Sequence, residues 1–387
     1  MNRIFSVVLS LVVFIAGTNL HASALNLNGK QAILVDLTTN TVLYEKDADT
    51  PVPPSSMSKI MAIYVLFENM KKGSYKWDDT FKVSPKAWKT EGSRTFVQVD
   101  TDVKIQDLAR GVIVQSGNDA AVTLAEGCAG SEEAYAELMT LKAKELGTKA
   151  SSFRNATGLP HEEHLMSIRD LALIAQKTIQ NFPEFYKMYG ETEFTYNKIT
   201  QPNRNTLLRD FKGCDGLKTG FTDAGGYGLV ASAIQDGRRL VVVVNGCEKA
   251  KDRIEDARKL LGWGYSYYSS PRLYKAGQSV GEADVWIGRK GKVSLVCNQD
   301  VYVTLPRMNV GDTKVTLRYK TPVEAPIKKG QKIAVLEVQA PNQPLRTIPL
   351  VAGEDVEKAG LFSRLGAIIS YLMDGTTQGS DEVQKAL

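Results

Sequence analysis

Residues 214–247 constrain the fold of this chain more than any other stretch. They contain three segments rich in apolar and β-branched residues, CDGLKTGFT, GYGLVASAIQ and RRLVVVVNGC, separated by glycine-containing turns. The dipeptide Asp236-Gly237, between the second and third segments, is a strong signal for a two-residue hairpin. The stretch therefore predicts an antiparallel meander in which the second strand lies between the other two.

Helical patterns surround this meander. A hairpin is predicted first, in QAILVDLTTNTVLYEKD, and helical periodicity then dominates from residue 55 to about 180. One of these helices, in SEEAYAELMTLKAKELG, should end at Gly147. A further helix, DRIEDARKLLGWGYSYY, follows the meander. We therefore predict an α/β domain over residues 25–270, built from an antiparallel sheet with helices.

A change of pattern near residue 271 indicates a second domain. Residues 271–355 contain short strand-like segments such as VSLVCN, VYVTLP, KVTLRYK and KIAVLEVQA, separated by Pro, Gly, Asn and Asp turns. This pattern is typical of a small all-β domain. A chain of 387 residues is long enough for two such domains.

The N-terminal segment 1–24 has the pattern of a secretory signal. Arg3 is its only Lys, Arg, Asp or Glu, residues 4–16 are almost wholly apolar, and Ala22 and Ala24 supply small residues for cleavage. The apolar run is short for a membrane span, although a retained anchor helix is the alternative. We therefore expect an exported protein.

The C-terminal segment 356–387 carries an amphipathic pattern followed by a polar tail. In GLFSRLGAIISYLM the apolar residues recur at helical spacing, from Leu361 to Met373. The segment is short for a span and suits a helix that lies in the membrane surface. The alternative is an ordinary helix packed on the β domain.

Charge and cysteine content exclude two classes of protein. The 48 basic and 43 acidic residues leave a net charge of only +5, which does not suggest a nucleic-acid binder. Four dispersed cysteines in so long a chain are not a disulfide framework. Cys214 and Cys247 begin and end the meander, at opposite ends of its middle strand, so a bridge between them is not expected.

A candidate nucleophile lies at the start of the first helix, in PVPPSSMSKIMA. Ser56 and Lys59 are three residues apart, so a helix places their side chains on the same face. A serine hydroxyl needs a neighbouring base to become a good nucleophile. A lysine becomes that base where burial or nearby positive charge lowers its pKa. Alone the pattern is weak, because a capping serine and a solvated lysine give the same letters.

Two further motifs strengthen this interpretation. Ser116-Gly117-Asn118 lies in a small-residue loop between two helical segments, and Lys218-Thr219-Gly220 lies on the first strand of the meander. Their order, with spacings of about 60 and about 100 residues, matches the active-site set of penicillin-recognising serine enzymes. The chain resembles the low-molecular-mass penicillin-binding proteins, the serine D-Ala-D-Ala carboxypeptidases of the peptidase S11 type. The resemblance covers nearly the whole sequence, including RDLALIAQ and NRNTLL.

The resemblance implies an activity and roles for the motif residues. Ser56 attacks the carbonyl between two D-alanines, Lys59 accepts its proton, and Ser116 returns a proton to the departing D-alanine. Asn118 would hold the substrate amide, and Lys218 and Thr219 would bind the terminal carboxylate. The backbone N–H groups of Ser56 and Phe221 would form the oxyanion hole, with Gly220 allowing close approach.

Further implications concern partners and location. The partners are peptidoglycan stem peptides and β-lactams, in peptidoglycan synthesis, cell-wall biogenesis and the maintenance of cell shape, with no cofactor or metal. The resemblance also implies a periplasmic location, at the outer face of the cytoplasmic membrane.

One position departs from the family pattern. The best-known carboxypeptidases of this group have histidine directly after Lys-Thr-Gly, where this chain has Phe221. The backbone donor survives this change, but a side-chain contribution to carboxylate binding does not. Arg204 and Arg253 are family-like basic residues that could compensate, or each could form a structural ion pair.

Three alternatives stay open at this point. A class A-like β-lactamase shares two motifs but has Ser-Asp-Asn and a separate glutamate for deacylation, which this sequence does not show. A metal-dependent carboxypeptidase could use His161 and His164, although a third ligand is missing. A non-catalytic wall-binding protein could keep the fold, although the intact motifs disfavour it.

Overall fold

The computed structural model describes residues 25–308, 313–320, 322–340, 345–360 and 383–386. The predicted signal segment 1–24 and the apolar stripe from Leu361 to Met373 lie outside these residues, so both stay predictions. Within the described part of the chain, no helix is both long and apolar enough to cross a bilayer.

The predicted meander is confirmed as part of a five-stranded sheet. Its spatial order is β2-β1-β9-β8-β7. The strands are β1 (Gln31–Asp36), β2 (Thr41–Lys46), β7 (Cys214–Thr222), β8 (Gly226–Gln235) and β9 (Arg238–Cys247). All four neighbouring pairs are antiparallel, and β1 and β2 form the predicted hairpin.

Both faces of this sheet are covered, which explains the unbroken VVVV run in β9. Val241 and Val243 belong to a core shared with the helices on one face. Val242 and Val244 point to the other face and pack with residues of the helix α9 (Ala250–Tyr267). Successive side chains of a strand alternate between faces, so a strand buried on both sides must be apolar throughout.

The remaining elements of the α/β domain are helices and two short strand pairs. The helices are α1 (Lys59–Lys71), α2 (Pro85–Lys89), α3 (Ile105–Arg110), α4 (Asn118–Ala129), α5 (Glu132–Leu146), α6 (Ile168–Asn181), α7 (Pro183–Tyr186) and α8 (Leu207–Asp210). The strand pairs are β3 (Thr80–Lys82) with β4 (Asp102–Lys104), and β5 (Glu193–Tyr196) with β6 (Ile199–Pro202). Gly147 ends α5 in the left-handed conformation, as predicted.

The all-β domain has its own sheet and its own aliphatic core. Its main sheet has the order β17-β12-β13-β19-β18-β16-β20. These strands are β12 (Ser279–Trp286), β13 (Lys292–Cys297), β16 (Lys314–Tyr319), β17 (Val323–Glu324), β18 (Lys332–Gln339), β19 (Arg346–Ala352) and β20 (Val383–Ala386). The short strands are β10 (Tyr268–Ser269), β11 (Arg272–Tyr274), β14 (Val301–Tyr302) and β15 (Leu305–Pro306). β20 pairs with β16, although the sequence had suggested only a polar tail there.

A buried carboxylate joins the two domains. Asp36, at the end of β1, is fully buried, and its Oδ2 accepts hydrogen bonds from Arg238 Nε at 2.7 Å and Ser270 Oγ at 2.6 Å. Thr304 of the β domain donates to the same oxygen at 3.1 Å and contacts Thr39 Oγ1 at 2.5 Å. One side chain therefore connects the five-stranded sheet, the linker that contains Ser270 and the β domain.

The four cysteines are free. Cys214 pairs with Ala233 near one end of β8, and Cys247 pairs with Tyr227 near the other end. The expectation that these two residues are too far apart for a bridge is confirmed.

Candidate active site

The nucleophile candidate lies on a tight turn that leads directly into α1. Ser56 is part of a 3-10 turn, Ser55–Ser58, and Lys59 begins the α-helix. The turn is held in place by apolar side chains that are fully buried, Met57, Ile60 and Met61. Gly158 packs against it so closely that a Cβ would lie 2.1 Å from the Ser55 carbonyl oxygen. Packing on both sides therefore fixes the position of Ser56.

Lys59 is buried next to Ser56. Its Nζ lies 2.9 Å from Ser56 Oγ and also contacts Asn118 Oδ1, at 2.7 Å, and the Thr157 carbonyl oxygen. Burial, together with the positive charge of Arg204, lowers the pKa of Lys59 to about 7. A large fraction of Lys59 is therefore neutral at neutral pH, with its amine beside the serine hydroxyl.

Asn118 opens α4 and positions Lys59. Besides accepting from Lys59, its side chain donates from Nδ2 to the Glu91 carbonyl oxygen at 2.6 Å. Both ends of the amide are therefore engaged within the protein. The sequence predicted that Asn118 holds the substrate amide, and in this structure it first orients the lysine.

Ser116 has a strained backbone and a hydroxyl without a partner. It follows a π-helical turn, Gly111–Gln115, and adopts the left-handed conformation with φ of 61°. This conformation is uncommon for residues other than glycine and clusters at functional sites. Ser116 is buried, and within the described residues its Oγ has no hydrogen-bond partner. The hydroxyl is therefore available to a ligand.

The Lys-Thr-Gly motif lies on β7, the edge strand of the sheet. Lys218 is almost fully buried and donates to the Thr219 carbonyl oxygen at 3.1 Å. Burial holds the pKa of Lys218 well below its usual value, and the charges of Lys59, Arg204 and Arg253 act in the same direction.

Phe221, directly after the motif, is 47% exposed and stacks on the Tyr227 ring at 4.1 Å. The exposed ring therefore stands on the same edge strand as the motif.

The two candidate arginines do not form ion pairs with any described carboxylate, so the structural ion-pair alternative is wrong for the described part of the chain. Arg204 donates to Ser93 Oγ at 2.8 Å. Arg253 donates to the Gly220 carbonyl oxygen at 2.9 Å, and its guanidinium lies 5.3 Å from the Tyr227 ring. Burial and the nearby Arg204 lower the pKa of Arg253 to about 10.

Most of these groups line a cavity of about 340 Å³, although the buried Lys59 and Lys218 are not among its described lining residues. Its lining includes Ser56, Ser116, Asn118, Thr219, Gly220, Phe221, Arg204 and Arg253. None of the described lining residues is an Asp or a Glu. A cavity with two arginines and no carboxylate is suited to an anionic ligand, and the uncharged hydroxyls of Ser56 and Ser116 face the same space.

The two histidines do not form a metal site with a third described residue. His161 is exposed, whereas His164 is buried and accepts a hydrogen bond at Nδ1 from the Arg154 backbone N–H, at 3.3 Å. Among the described residues, no group of three His, Cys, Asp or Glu side chains could hold a metal ion.

Some site residues were not predicted from the sequence. The Thr157 carbonyl oxygen, which contacts Lys59, and the Ser93 hydroxyl, which contacts Arg204, come from loops without a recognisable motif. The nearest local signal was Gly158 in NATGLP, since a loop glycine often marks a close backbone approach.

Comparisons with known proteins agree with this arrangement. Residues 18–249 match the family model described as D-alanyl-D-alanine carboxypeptidase, peptidase S11. Residues 268–358 match the model of the penicillin-binding protein 5 C-terminal domain.

Individual relatives match over most of the chain. D-alanyl-D-alanine carboxypeptidase DacA of Escherichia coli K12 is 35% identical, over 89% of this chain and 87% of that protein. Penicillin-binding protein 5 of Haemophilus influenzae superposes with a TM-score of 0.80 at 34% identity, over 86% of this chain and 99% of that one. Penicillin-binding protein D2 of Listeria monocytogenes, in its ampicillin-bound form, has a TM-score of 0.58 at 28% identity, over 62% of this chain and 99% of that one. The chain belongs to the peptidase S11 family of D-alanyl-D-alanine carboxypeptidases.

Proposed function

We propose that Ser56 is the nucleophile of a serine D-Ala-D-Ala carboxypeptidase that removes the terminal D-alanine from peptidoglycan pentapeptides. One observation carries this proposal: Lys59 Nζ lies 2.9 Å from Ser56 Oγ, and the pKa of this buried lysine is lowered to about 7. An amine that is neutral near pH 7 and within hydrogen-bond distance of a hydroxyl is a competent general base.

Acylation follows from the contacts of Lys59. Two N–H bonds of its neutral amine donate to Asn118 Oδ1 and to the Thr157 carbonyl oxygen, which leaves the lone pair for the Ser56 proton. Ser56 Oγ then attacks the carbonyl between the two D-alanines. The backbone N–H groups of Ser56 and Phe221 stabilise the oxyanion. The C–N bond breaks as the Ser116 hydroxyl gives its proton to the departing amine and takes the former Ser56 proton from the Lys59 ammonium. Water later hydrolyses the ester, which adds OH to the acyl carbon and returns a proton to Ser56 Oγ.

The cations of the cavity bind the terminal carboxylate in this proposal. Arg204 and Arg253 carry fixed positive charge at the cavity wall, and Thr219 adds a hydroxyl. Arginine binds carboxylates with directed, charge-assisted hydrogen bonds. These residues supply the side-chain contacts to the carboxylate that the apolar side chain of Phe221 cannot make.

The same geometry disfavours the alternative, a class A-like β-lactamase. Such enzymes use a glutamate to position the deacylating water. No Asp or Glu lines the described part of this cavity, so a water near the acyl-enzyme has no carboxylate base. We therefore expect β-lactams to acylate Ser56 and the resulting acyl-enzyme to be hydrolysed slowly. The ampicillin-bound form of the related Listeria protein supports the first half of this expectation. Rapid turnover of penicillin by the purified protein would favour the lactamase.

Mass spectrometry after penicillin treatment tests the nucleophile. We expect one adduct, mapped to the peptide that contains Ser56, and release of D-alanine from a pentapeptide by the untreated protein. Ser56→Ala should lose both properties, whereas Ser74→Ala, at an exposed serine, should keep both. An adduct on another residue, or D-alanine release by Ser56→Ala, would contradict the proposal.

We also propose that the protein is exported and attached to the outer face of the cytoplasmic membrane. The pattern of residues 1–24 supports export, and the apolar stripe from Leu361 to Met373 supports attachment. The double substitution Leu365→Glu and Ile369→Glu should move the protein from the membrane fraction to the soluble fraction, with D-alanine release unchanged. A membrane-bound double variant would contradict attachment by this segment.

A further inference from the structure

A second cavity adjoins the catalytic one. It has a volume of about 330 Å³, and Gly158, Leu159 and Thr222 line both cavities. Most of its other walls are apolar, with contributions from Pro53, Pro54, Pro160, Leu165 and Ala224. Ligand pockets typically combine such apolar walls with a few placed polar groups. The roles proposed above do not use this cavity.

The second cavity lies at the end of β7 where the upstream part of a substrate would emerge. This step rests on the proposed function. Along β7, Lys218 and Thr219 come first, at the carboxylate end of the substrate, and Phe221 follows at the scissile carbonyl. The peptide that precedes the scissile bond must therefore extend past Phe221 toward Thr222. Because Thr222 lines both cavities, an upstream side chain reaches the second one.

The polar side chains that line this cavity are those of Ser55, Thr222, His161, Glu162 and His164. The Ser55 and Thr222 hydroxyls bond each other at 2.7 Å, and His161 and Glu162 are exposed, which leaves His164 as the buried group. Its side chain is only 2% exposed, and its ring packs edge-on against Phe153, with centroids 5.5 Å apart. Nδ1 accepts a hydrogen bond from the Arg154 backbone N–H, while Nε2 is buried and has no partner in the part of the chain that the structure describes. A ring that accepts at Nδ1 carries its hydrogen on Nε2 when it is neutral.

The ring is neutral at physiological pH. Burial lowers the pKa of His164 to about 4, and the positive charges of His161 and Lys59 act in the same direction. His164 is therefore a buried N–H donor without an acceptor, which is a costly arrangement unless a ligand or water completes it.

We propose that this cavity is a specificity subsite for a side chain upstream of the scissile bond. That side chain has an aliphatic stem and ends in a carbonyl or carboxylate oxygen. Its methylene groups contact the proline and leucine walls, and its terminal oxygen accepts a hydrogen bond from His164 Nε2. A substrate with an apolar end instead leaves the donor unpaired, so the subsite discriminates mainly against such substrates.

Two peptides that differ in one side chain test the subsite. They are Nα-acetyl-X-D-Ala-D-Ala with X as Nε-acetyl-L-lysine, which ends in a carbonyl, or as L-norleucine, which does not. We expect kcat/KM of the wild-type protein to favour the acetyl-lysine peptide about tenfold, the factor that corresponds to ~1.4 kcal/mol. His164→Phe keeps a ring of similar shape and removes the donor, so its preference should fall to about one. Glu163→Gln, at an exposed residue of the same loop that lines neither cavity, should keep the wild-type preference.

The outcomes separate this subsite from the proposed function. D-alanine release from the norleucine peptide and penicillin labelling of Ser56 report on the carboxypeptidase itself. Equal kcat/KM values for the two peptides in the wild-type protein would overturn the subsite alone, as would a preference that survives in a labelled His164→Phe variant.

A second variant covers the case in which His164→Phe does not fold. Ala224 is exposed and lines the second cavity, so Ala224→Leu narrows that cavity without disturbing the core. We expect Ala224→Leu to lower kcat/KM for the acetyl-lysine peptide at least fivefold, while penicillin labelling of Ser56 stays intact. An unchanged kcat/KM would overturn the subsite.

Discussion

The two domains differ sharply in what they bury. The catalytic domain buries many charged side chains, among them Lys59, Lys218, Arg253, Asp119 and Asp256. In the described residues of the β domain, from 271 to 355, the buried polar side chains are Thr304, Thr313 and Thr316, and the core is otherwise aliphatic apart from the Cys297 thiol. Burial of a charge costs free energy unless partners compensate it. The distribution of buried charged side chains therefore indicates where chemistry takes place.

Within the catalytic domain, buried acids and buried bases serve different ends. Asp119 accepts hydrogen bonds from the backbone N–H groups of Thr95, Phe96 and Val97, and it therefore anchors the loop beside the cavity. Lys59 and Lys218 instead have pKa values far below those of ordinary lysines. The acids stabilise loops, and the bases prepare the reaction. The β domain contains neither kind of group among its described residues, which predicts that its substitutions affect stability and not acylation.

Loss of the general base should have the largest effect. Lys59→Met removes the amine that accepts the Ser56 proton, so the rate of acylation by penicillin should fall about 10³-fold. Stopped-flow measurement of adduct formation checks this. The matched control in the β domain is Lys292→Met, at an exposed lysine, and it should acylate at the wild-type rate. Wild-type acylation by Lys59→Met would require a different base.

The dependence of the acylation rate on pH should be the next largest effect. Lys59 acts only when it is neutral, and its pKa is about 7. The neutral fraction therefore falls about tenfold for each pH unit below 7, and the rate at pH 5 should be about 100-fold below its plateau above pH 8. The second-order acylation rate between pH 5 and 9 measures this directly. A profile that stays flat from pH 5 to 7 would show that Lys59 is not the titrating base.

Arg204 should have a smaller, two-part effect. Arg204→Gln removes a cation from the cavity wall and should lower kcat/KM for a D-Ala-D-Ala peptide about tenfold. Because the charge of Arg204 also lowers the pKa of Lys59, the acylation profile should move to higher pH. Arg272→Gln, at an ion-paired arginine of the β domain, should change neither quantity. A lowered kcat/KM with an unchanged pH profile of acylation would show that Arg204 binds the substrate but does not lower the pKa of Lys59.

The smallest effect on acylation is expected from the β-domain core. Leu336 is fully buried there, so Leu336→Ala should lower the free energy of unfolding by ~2–5 kcal/mol. Acylation of Ser56 at 25 °C should stay at the wild-type rate. Chemical unfolding and penicillin labelling measure the two quantities, and a slowed acylation would show that the domains are catalytically coupled.

The sequence predicted the elements whose signals are local. The strands β7, β8 and β9 coincide with the three apolar segments, because each is a short run rich in apolar and β-branched residues with a glycine-containing turn beside it. The closeness of Ser56 and Lys59 follows from helical spacing in the same way. The causes of the low lysine pKa, burial and a neighbouring cation, were also correctly expected, although the cation was not identified.

Features that depend on distant contacts could not be predicted. The left-handed backbone of Ser116 follows from a π-helical turn that the helical period does not reveal. The donation from Arg253 to the Gly220 carbonyl oxygen joins residues 33 positions apart through the packing of α9 beside β8 and β9. His164 lies in a short loop whose sequence gives no signal of burial, but tertiary packing buries it against Phe153. For Arg253 the neighbour that decides the outcome is remote in sequence, and for Ser116 and His164 the local sequence pattern does not show the geometry that decides it.

The joint at Asp36 has a mechanical consequence. A mechanical force on the β domain is transmitted to the catalytic sheet partly through the Asp36 carboxylate. This carboxylate accepts hydrogen bonds from Arg238, Ser270 and Thr304. The orientation of the catalytic cavity relative to the β domain therefore depends on the hydrogen bonds of Asp36 as well as on the linker. If the β domain were tethered, the catalytic domain would therefore keep a defined orientation relative to the tether.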